Sequence, residues 1–291
     1  MARYFDSRAV LTANFASNSE IDATLRAFAP AAGPDHELWI TDISWHDPST
    51  DAHLRSLADQ GLKIVWIDHH RTALQRFKAG EITVPFAHRI LSEDYAASRL
   101  TYEYLLERVR SEGLDLPRLR EFAPVVAMAD DNDRWLHQVA GSRELAWVVR
   151  GLGPDAFDDF VGLDAQVTYT PRMAAARDRA ADEIRHSFAI ADSSRVERPL
   201  GQATLVVAVC DGHPSEIADA WGKQTRNTVF ALYDAKSLSV SLRRSPDCTV
   251  DLSTLARSLG GGGHAAASGC ELPDVRRALA EIIATRVATG A

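Results

Sequence analysis

The sequence predicts an α/β protein with a parallel-sheet N-terminal domain and a smaller α/β C-terminal domain, joined by a helical linker. Two apolar runs, ELWITDI and KIVWIDHH, flank a helical pattern between residues 37 and 70, which is typical of a strand–helix–strand unit. After a long amphipathic pattern at 172–188, short β-type runs return. A chain of 291 residues has an ordinary length for two domains. We place the domains at 1–155 and 193–291, with a helical connector at 156–192.

The first strand–helix–strand unit locates the first group of candidate functional residues. We expect strands at 37–43 and 63–70 and a helix at 51–58. This order predicts a parallel pair with a right-handed crossover. Asp42 ends the first strand and the Asp68-His69-His70 triplet ends the second. They should therefore meet at the carboxyl edge of the sheet, where open α/β sheets bind ligands.

The remaining elements follow from the same patterns. In the N-terminal part we expect a strand at 84–90 and helices at 96–109 and 116–129. In the C-terminal part we expect strands at 203–209, 228–233 and 238–242, with a helix between the first two. A run of glycines at 260–263 precedes small residues that we interpret as a helical pattern, and a closing helix is predicted at 274–288.

Composition excludes several classes of function. Forty acidic against 32 basic side chains give a net charge of −8, so the chain has no broad positive field for duplex DNA. No apolar run approaches the roughly 18 residues of a membrane span, and the N-terminus shows no secretory signal, so we expect a cytoplasmic protein. The three cysteines form no CxxC pair and are interpreted as packed thiols: Cys210, Cys248 and Cys270.

Acidic and imidazole side chains indicate a metal site. A bare DHH triplet is more often an ordinary polar loop, but here an apolar strand delivers it to the sheet edge that also carries Asp42. Asp130, Asp131 and Asp133 form an acidic cluster at the end of a predicted helix, where the carboxylates repel one another and oppose the helix dipole. A cation resolves both conflicts, and oxygen and nitrogen ligands of this kind suit Mn²⁺ or Mg²⁺.

Glycines in the C-terminal part indicate an anion site. A flexible linker would continue with polar, serine-rich sequence, whereas here His264 follows at once. Consecutive glycines let backbone N–H groups approach a phosphate. We therefore interpret Gly261, Gly262, Gly263 and His264 as phosphate-binding. Arg243 ends a predicted strand upstream and could clamp a phosphate with its forked guanidinium.

Five segments together carry a resemblance to a known family. They are ITDIS at 40–44, IDHHRT at 67–72, the helix-end Asp130, SLR at 241–243 and GGGGHAAASG at 260–269. With these motifs in this order, the chain resembles the DHH phosphoesterase superfamily with the DHH-associated C-terminal domain. The TDIS and DHHRT forms are similar to those of the nanoRNase and oligoribonuclease branch.

The resemblance implies a two-metal phosphodiesterase that degrades short single-stranded RNA or dinucleotides to mononucleotides, and it is compatible with a homodimer. It implies that Asp42 bridges two Mn²⁺ or Mg²⁺ ions and that His69 and Asp130 complete the second ion's ligands. His70 would lie beside the scissile phosphate, with Asp68 orienting the histidine pair. The residues implied in holding a substrate phosphate are Arg243, Gly261, Gly262, Gly263 and His264.

One departure from the family pattern concerns the first metal. Such proteins open with an HxDxDG motif that supplies ligands, and this sequence contains none; Asp6 is not preceded by histidine. We expect either a start site further upstream or a missing first metal site, and weak or absent turnover from this polypeptide.

Two alternatives stay open: a non-catalytic nucleotide-binding protein, and a pyrophosphatase or polyphosphatase of the same superfamily. The GGGGH form and the TDIS motif do not favour the pyrophosphatase or the polyphosphatase. Isothermal titration would identify the binding module, which should take up pApA-like ligands without metal and without turnover.

Overall fold

The computed structural model describes residues 1–5, 11–28, 36–272 and 274–289. The chain divides into two compact units, Met1–Arg177 and Asp178–Ala291. The first unit contains a parallel sheet and the second a mixed sheet, so the predicted α/β class is confirmed. Asp6 lies outside the described residues.

The N-terminal unit is built mostly of helices around three strands. Its strands are β1 (Glu37–Thr41), β2 (Lys63–Asp68) and β3 (His88–Leu91). Its helices are α1 (Ala2–Phe5), α2 (Ile21–Ala27), α3 (Pro48–Asp59), α4 (Arg71–Lys78), α5 (Ala97–Ser111), α6 (Pro117–Arg120), α7 (Ala123–Asp133), α8 (Ser142–Leu152) and α9 (Ala156–Val161), followed by α10 (Pro171–Ser194), which continues past the boundary between the units.

Strand β2 is the centre of the N-terminal sheet. It pairs in parallel with β1 and with β3, and every residue except Lys63 is buried. Trp66 packs into a core with Trp45 and Leu54, whereas Ile67 packs on the opposite side, against α5. The strand is therefore covered on both faces, which explains its unbroken apolar sequence.

Local signals account for most helix boundaries in this unit. Asp47 accepts a hydrogen bond from the Ser49 N–H and Pro48 occupies the first turn of α3, a favourable helix start. The single helix predicted at 116–129 is wrong, because the structure has the separate helices α6 and α7. Pro124 lacks an N–H and its ring would clash with a carbonyl of the preceding turn, so a new helix begins beside it.

The C-terminal unit contains a six-stranded mixed sheet in the order β4-β5-β6-β7-β9-β8. Its strands are β4 (Val196–Leu200), β5 (Ala203–Cys210), β6 (Thr228–Asp234), β7 (Ser239–Arg244), β8 (Gly262–Gly263) and β9 (Ala267–Glu271), and its further helices are α11 (Pro214–Gly222), α12 (Leu252–Ser258) and α13 (Val275–Thr289). Ile217 of α11 packs on one side of the sheet and Leu252 of α12 on the other.

The small residues after the glycine run form a strand, so the helical interpretation of this segment is wrong. Strand β9 pairs with β7 and β8, and its buried residues alternate, with Ser268 and Cys270 facing inward. Alanine and glycine look helical or flexible in isolation, but sheet pairing overrides that weak propensity. Small side chains are needed here because the backbone of Gly261 runs against that of Gly269.

Two further expectations concern the whole chain. The predicted helix at 172–188 is present as part of α10, and the boundary between the compact units falls inside it, after Arg177. The assignment of 156–192 as a connector stays a prediction. Among the described residues, no helix has the length and apolar character required to cross a bilayer.

Candidate functional site

Asp42 and His69 meet at the carboxyl edge of the N-terminal sheet. Asp42 directly follows β1 with φ of 65°, a left-handed conformation that aspartate tolerates better than most residues. Its N–H donates to the Ile67 carbonyl at 3.0 Å, and its carboxylate lies 3.2 Å from His69 Nε2. The two strand ends are therefore brought together as the strand order predicts.

Asp133 belongs to the acidic cluster that the sequence predicts to face a cation, although the metal ligand predicted from that cluster is Asp130. It is the last residue of α7, and its carboxylate lies 3.3 Å from His69 Nε2, the nitrogen that Asp42 also contacts. The hydrogen bond to Asp42 raises the pKa of His69, and the charge of Asp133 acts in the same direction. Burial raises the pKa of Asp133, and the Asp42 carboxylate adds to this shift while His69 opposes it. Two carboxylates thus converge where a cation is favoured.

Asp68 is hydrogen-bonded to both His69 and His70. It is fully buried, and its Oδ1 accepts hydrogen bonds from the backbone N–H groups of His69 and His70 at 2.7 and 3.1 Å. His70 Nδ1 lies 2.7 Å from the same oxygen, and this hydrogen bond raises the pKa of His70. Nδ1 of His70 therefore carries the proton, and Nε2 is left for a metal or a substrate.

Asp130 is placed differently from the neighbouring Asp133. It is buried; Oδ1 accepts from the Ala96 N–H at 2.7 Å, and Oδ2 lies 3.4 Å from Arg99 and 3.5 Å from Arg134. Its charge is thus balanced by two guanidinium groups and by the start of α5. The structure brings Asp133, not Asp130, to His69, and a ligand role for Asp130 stays a prediction.

The converging side chains fit a divalent cation. One ligand atom each from Asp42, His69 and His70 lie within 4.8 Å of one another, and Asp133 adds a carboxylate. Such oxygen and imidazole ligands suit divalent ions of the Mn²⁺ or Mg²⁺ kind. Asp68 Oδ2 is buried and has no hydrogen-bond partner in the described part of the chain, a state that a bound ion or water would relieve.

A cavity of about 660 Å³ lies within the N-terminal unit beside this cluster. Asp42, Asn132 and Asp133 contribute to its lining, and much of its remaining wall is apolar, including Phe122 and Leu145. Its size and mixed lining are typical of small-molecule sites. The candidate metal ligands Asp42 and Asp133 therefore border a space large enough for a small ligand.

Arg243 is the clearest candidate for anion binding in the C-terminal unit. Its guanidinium donates to Ser215 Oγ at 2.9 Å and to the carbonyls of Leu242 and Ser268 at 2.9 and 3.3 Å, and burial lowers its pKa. Within the described residues, Arg243 has no carboxylate within ion-pairing distance. A partly buried guanidinium held only by neutral acceptors is suited to a phosphate. Ser215, which had no distinguishing sequence signal, belongs to this group.

The glycine motif forms a hairpin rather than an open cradle. Gly262 and Gly263 pair with Gly269 and Ser268, and the His264 N–H donates to the Ala267 carbonyl at 2.8 Å. The Gly261 N–H is also engaged, with the Ala256 carbonyl at 2.7 Å, so these two amides do not face a phosphate. His264 is exposed. Because Ala267 is the register partner of Arg243, the hairpin lies beside Arg243. Phosphate binding by Gly261, Gly262, Gly263 and His264 stays a prediction.

The DHH triplet at a strand end, the facing Asp42 and the GGGH hairpin in a separate C-terminal unit are the features that carry the resemblance to the DHH superfamily. Oligoribonuclease NrnB of Bacillus subtilis (strain 168) is 26% identical over 254 residues, or 81% of this chain. The chain spans 59% of that relative's length. No protein-family model matches the chain. This similarity agrees with the resemblance of the sequence motifs to those of the DHH superfamily and its nanoRNase branch.

Solved structures give weaker likenesses. The pGpG-specific phosphodiesterase PggH from Vibrio cholerae aligns with 87% of this chain and 99% of its own at 14% identity and a TM-score of 0.46. An exopolyphosphatase-related protein from Bacteroides fragilis aligns with 93% of this chain and 74% of its own, at 14% identity and a TM-score of 0.44.

Proposed function

We propose that this chain is a metal-dependent phosphodiesterase that hydrolyses short oligoribonucleotides or dinucleotides to mononucleotides. The convergence of Asp42 and Asp133 on His69 Nε2, at 3.2 and 3.3 Å, carries the proposal. The name of the relative NrnB, an oligoribonuclease, supports the substrate class. Because the chain spans 59% of that relative, the activity is inferred from the residues of this chain.

Each residue of the cluster has a distinct part in the proposed reaction. Asp42, His69 and Asp133 would hold a divalent ion, which when bound supplies a Lewis acid and an activated water. His70 is 43% exposed at its side chain and is anchored by Asp68. With Nδ1 of His70 hydrogen-bonded to Asp68, Nε2 of His70 is directed away from Asp68 and would contact a phosphate oxygen of the substrate.

A substrate with few phosphates fits the charge of the chain. The net charge of −8 disfavours long polyanions such as duplex DNA, whereas one phosphate can be held locally by a buried guanidinium. Arg243 and the hairpin with His264 are the proposed holders in the C-terminal unit. A cytoplasmic location and a homodimer are part of the same proposal.

Removing the Arg243 guanidinium tests this part of the proposal. In Arg243→Ala, we expect the KM for pApA to rise at least about tenfold, because one charge-assisted phosphate contact is lost. We expect little change in kcat. Arg244→Ala is a matched control, because Arg244 donates to the Val250 carbonyl and should leave KM within about twofold. An equal rise in both variants, measured by steady-state kinetics, would mean that charge removal alone is responsible.

The proposed function is tested by incubating the chain with pApA and Mn²⁺ and following the release of pA. Metal-dependent release supports a phosphodiesterase. Uptake of pApA without any release would identify the non-catalytic nucleotide-binding protein. Cleavage of pyrophosphate or polyphosphate in place of pApA would identify the phosphatase alternative.

A further inference from the structure

Trp135 occupies an unusual position at the end of α7, two residues beyond Asp133. Its φ is 57°, its N–H donates to the Asn132 carbonyl at 3.0 Å, and the Leu136 N–H donates to the Asp131 carbonyl at 2.9 Å. This pair of hydrogen bonds is the helix-ending motif in which the left-handed residue is usually glycine. A bulky side chain is disfavoured there, so the backbone alone gives no reason for tryptophan.

The Trp135 side chain is partly exposed and contacts two neighbouring side chains. Trp135 is 38% exposed. Its ring contacts the His137 ring edge to face, with centroids 4.4 Å apart, and the Arg143 guanidinium lies 5.6 Å from its centroid. The indole therefore lies at the surface, where two neighbouring side chains restrain it. It is available to stack against a ligand, as a fully buried core ring would not be.

Trp135 is also close in sequence to Asp133, one of the candidate metal ligands. Two peptide units separate Asp133 from Trp135, so their Cα atoms lie at most about 7.6 Å apart. The sugar of a single nucleotide separates its base from its phosphate by a comparable length. A phosphate at the cluster of Asp42, His69 and Asp133 would thus bring a base within reach of the Trp135 ring.

We propose that Trp135 is a positioning residue that stacks on a nucleobase of the substrate while the adjoining phosphate lies at the metal-binding cluster. This inference rests on the proposed function and adds to it a requirement for a base, of any identity, beside the scissile phosphate. Every base has a π-face, so stacking of this kind tolerates different sequences. The Arg143 guanidinium strengthens the platform by its own contact with the indole.

The variant Trp135→Gly separates a substrate role from a structural one. Glycine suits the left-handed position, so the variant should fold and melt within a few degrees of the wild type. We expect the KM for pApA to rise about tenfold, because one base–aromatic stack is lost. The kcat should change less than about twofold. Trp135→Phe should recover most of the affinity, and Leu136→Ala, in the same turn, should leave KM unchanged.

A substrate without a base gives the decisive contrast. For a dinucleotide analogue with an abasic sugar beside the scissile phosphate, Trp135→Gly should cost nothing in KM. An unchanged KM for pApA in Trp135→Gly, with the wild type active, overturns the stacking role and leaves the proposed function intact. An equal rise in KM for both substrates overturns it as well. If the wild type is inactive, the proposed function fails, and calorimetry with a non-hydrolysable pApA analogue then decides the stacking role by comparing the wild type with Trp135→Gly.

Discussion

Replacing Gly261 with alanine is expected to destabilise the C-terminal unit by more than about 3 kcal/mol, enough to unfold a marginally stable domain. A Cβ at this position would lie 2.1 Å from the Gly269 carbonyl oxygen and 2.5 Å from the Cys270 Cβ. The groups that it meets belong to the paired strand β9, which cannot withdraw without breaking its pairing with β7. Urea unfolding followed by circular dichroism measures the loss.

Gly262→Ala is the matched control for this prediction. Among the described residues, no atom outside the two adjacent residues lies within 4 Å of a Cβ at Gly262, so this variant should stay within about 1 kcal/mol of the wild type. If both variants were equally stable, the close pairing of β8 and β9 would be wrong. If both were equally unstable, flexibility of the glycine run, and not the contact with Gly269, would be the requirement.

Asp133→Asn is expected to weaken Mn²⁺ binding by at least about 100-fold, since loss of a supporting group outside the ligand set already costs 10- to 100-fold. Asp130→Asn should act differently. Its carboxylate accepts a hydrogen bond from the Ala96 N–H and lies near two arginines. We therefore expect the free energy of unfolding to fall by about 1–3 kcal/mol and the Mn²⁺ affinity to change by less than about tenfold. Titration calorimetry with Mn²⁺ measures the affinity, and thermal unfolding measures the stability.

The pair of aspartates decides between the sequence interpretation and the geometry. A larger loss of Mn²⁺ affinity in Asp130→Asn than in Asp133→Asn would restore Asp130 as the ligand. The opposite order would assign the ligand role to Asp133. Equal and small losses in both folded variants would mean that the end of α7 contributes no metal ligand.

The sheet edge was predictable because it depends on strand order. Asp42 and His69 follow consecutive apolar runs joined by one helix, and parallel pairing fixes where their strands end. Side-chain alternation does not separate His69 from His70, because β2 ends at Asp68 and both imidazoles lie in one cluster with Asp42. No such rule distinguishes Asp130 from Asp133, because they are three residues apart on one helix and only the docking of α7 decides which carboxylate faces His69.

The remaining errors have similar physical causes. The small residues of β9 form a strand because they fit closely against Gly261 and β7, which is a tertiary effect absent from local propensity. Arg243 was predicted as an anion binder, but the contribution of Ser215 was not, because 28 residues separate the two and only the packing of α11 on the sheet brings them together. Trp135 had no sequence signal, since its left-handed backbone is visible only in the structure.

The most direct test of the central claim is a single-turnover assay with this chain in excess over pApA and saturating Mn²⁺, so that even slow hydrolysis is detected. We expect conversion of pApA to pA that depends on Mn²⁺ and falls at least about 100-fold in Asp42→Asn, whose carboxylate contacts His69 Nε2. Intact pApA with the wild-type chain, or equal conversion by Asp42→Asn, would contradict a phosphodiesterase centre at Asp42, His69 and Asp133.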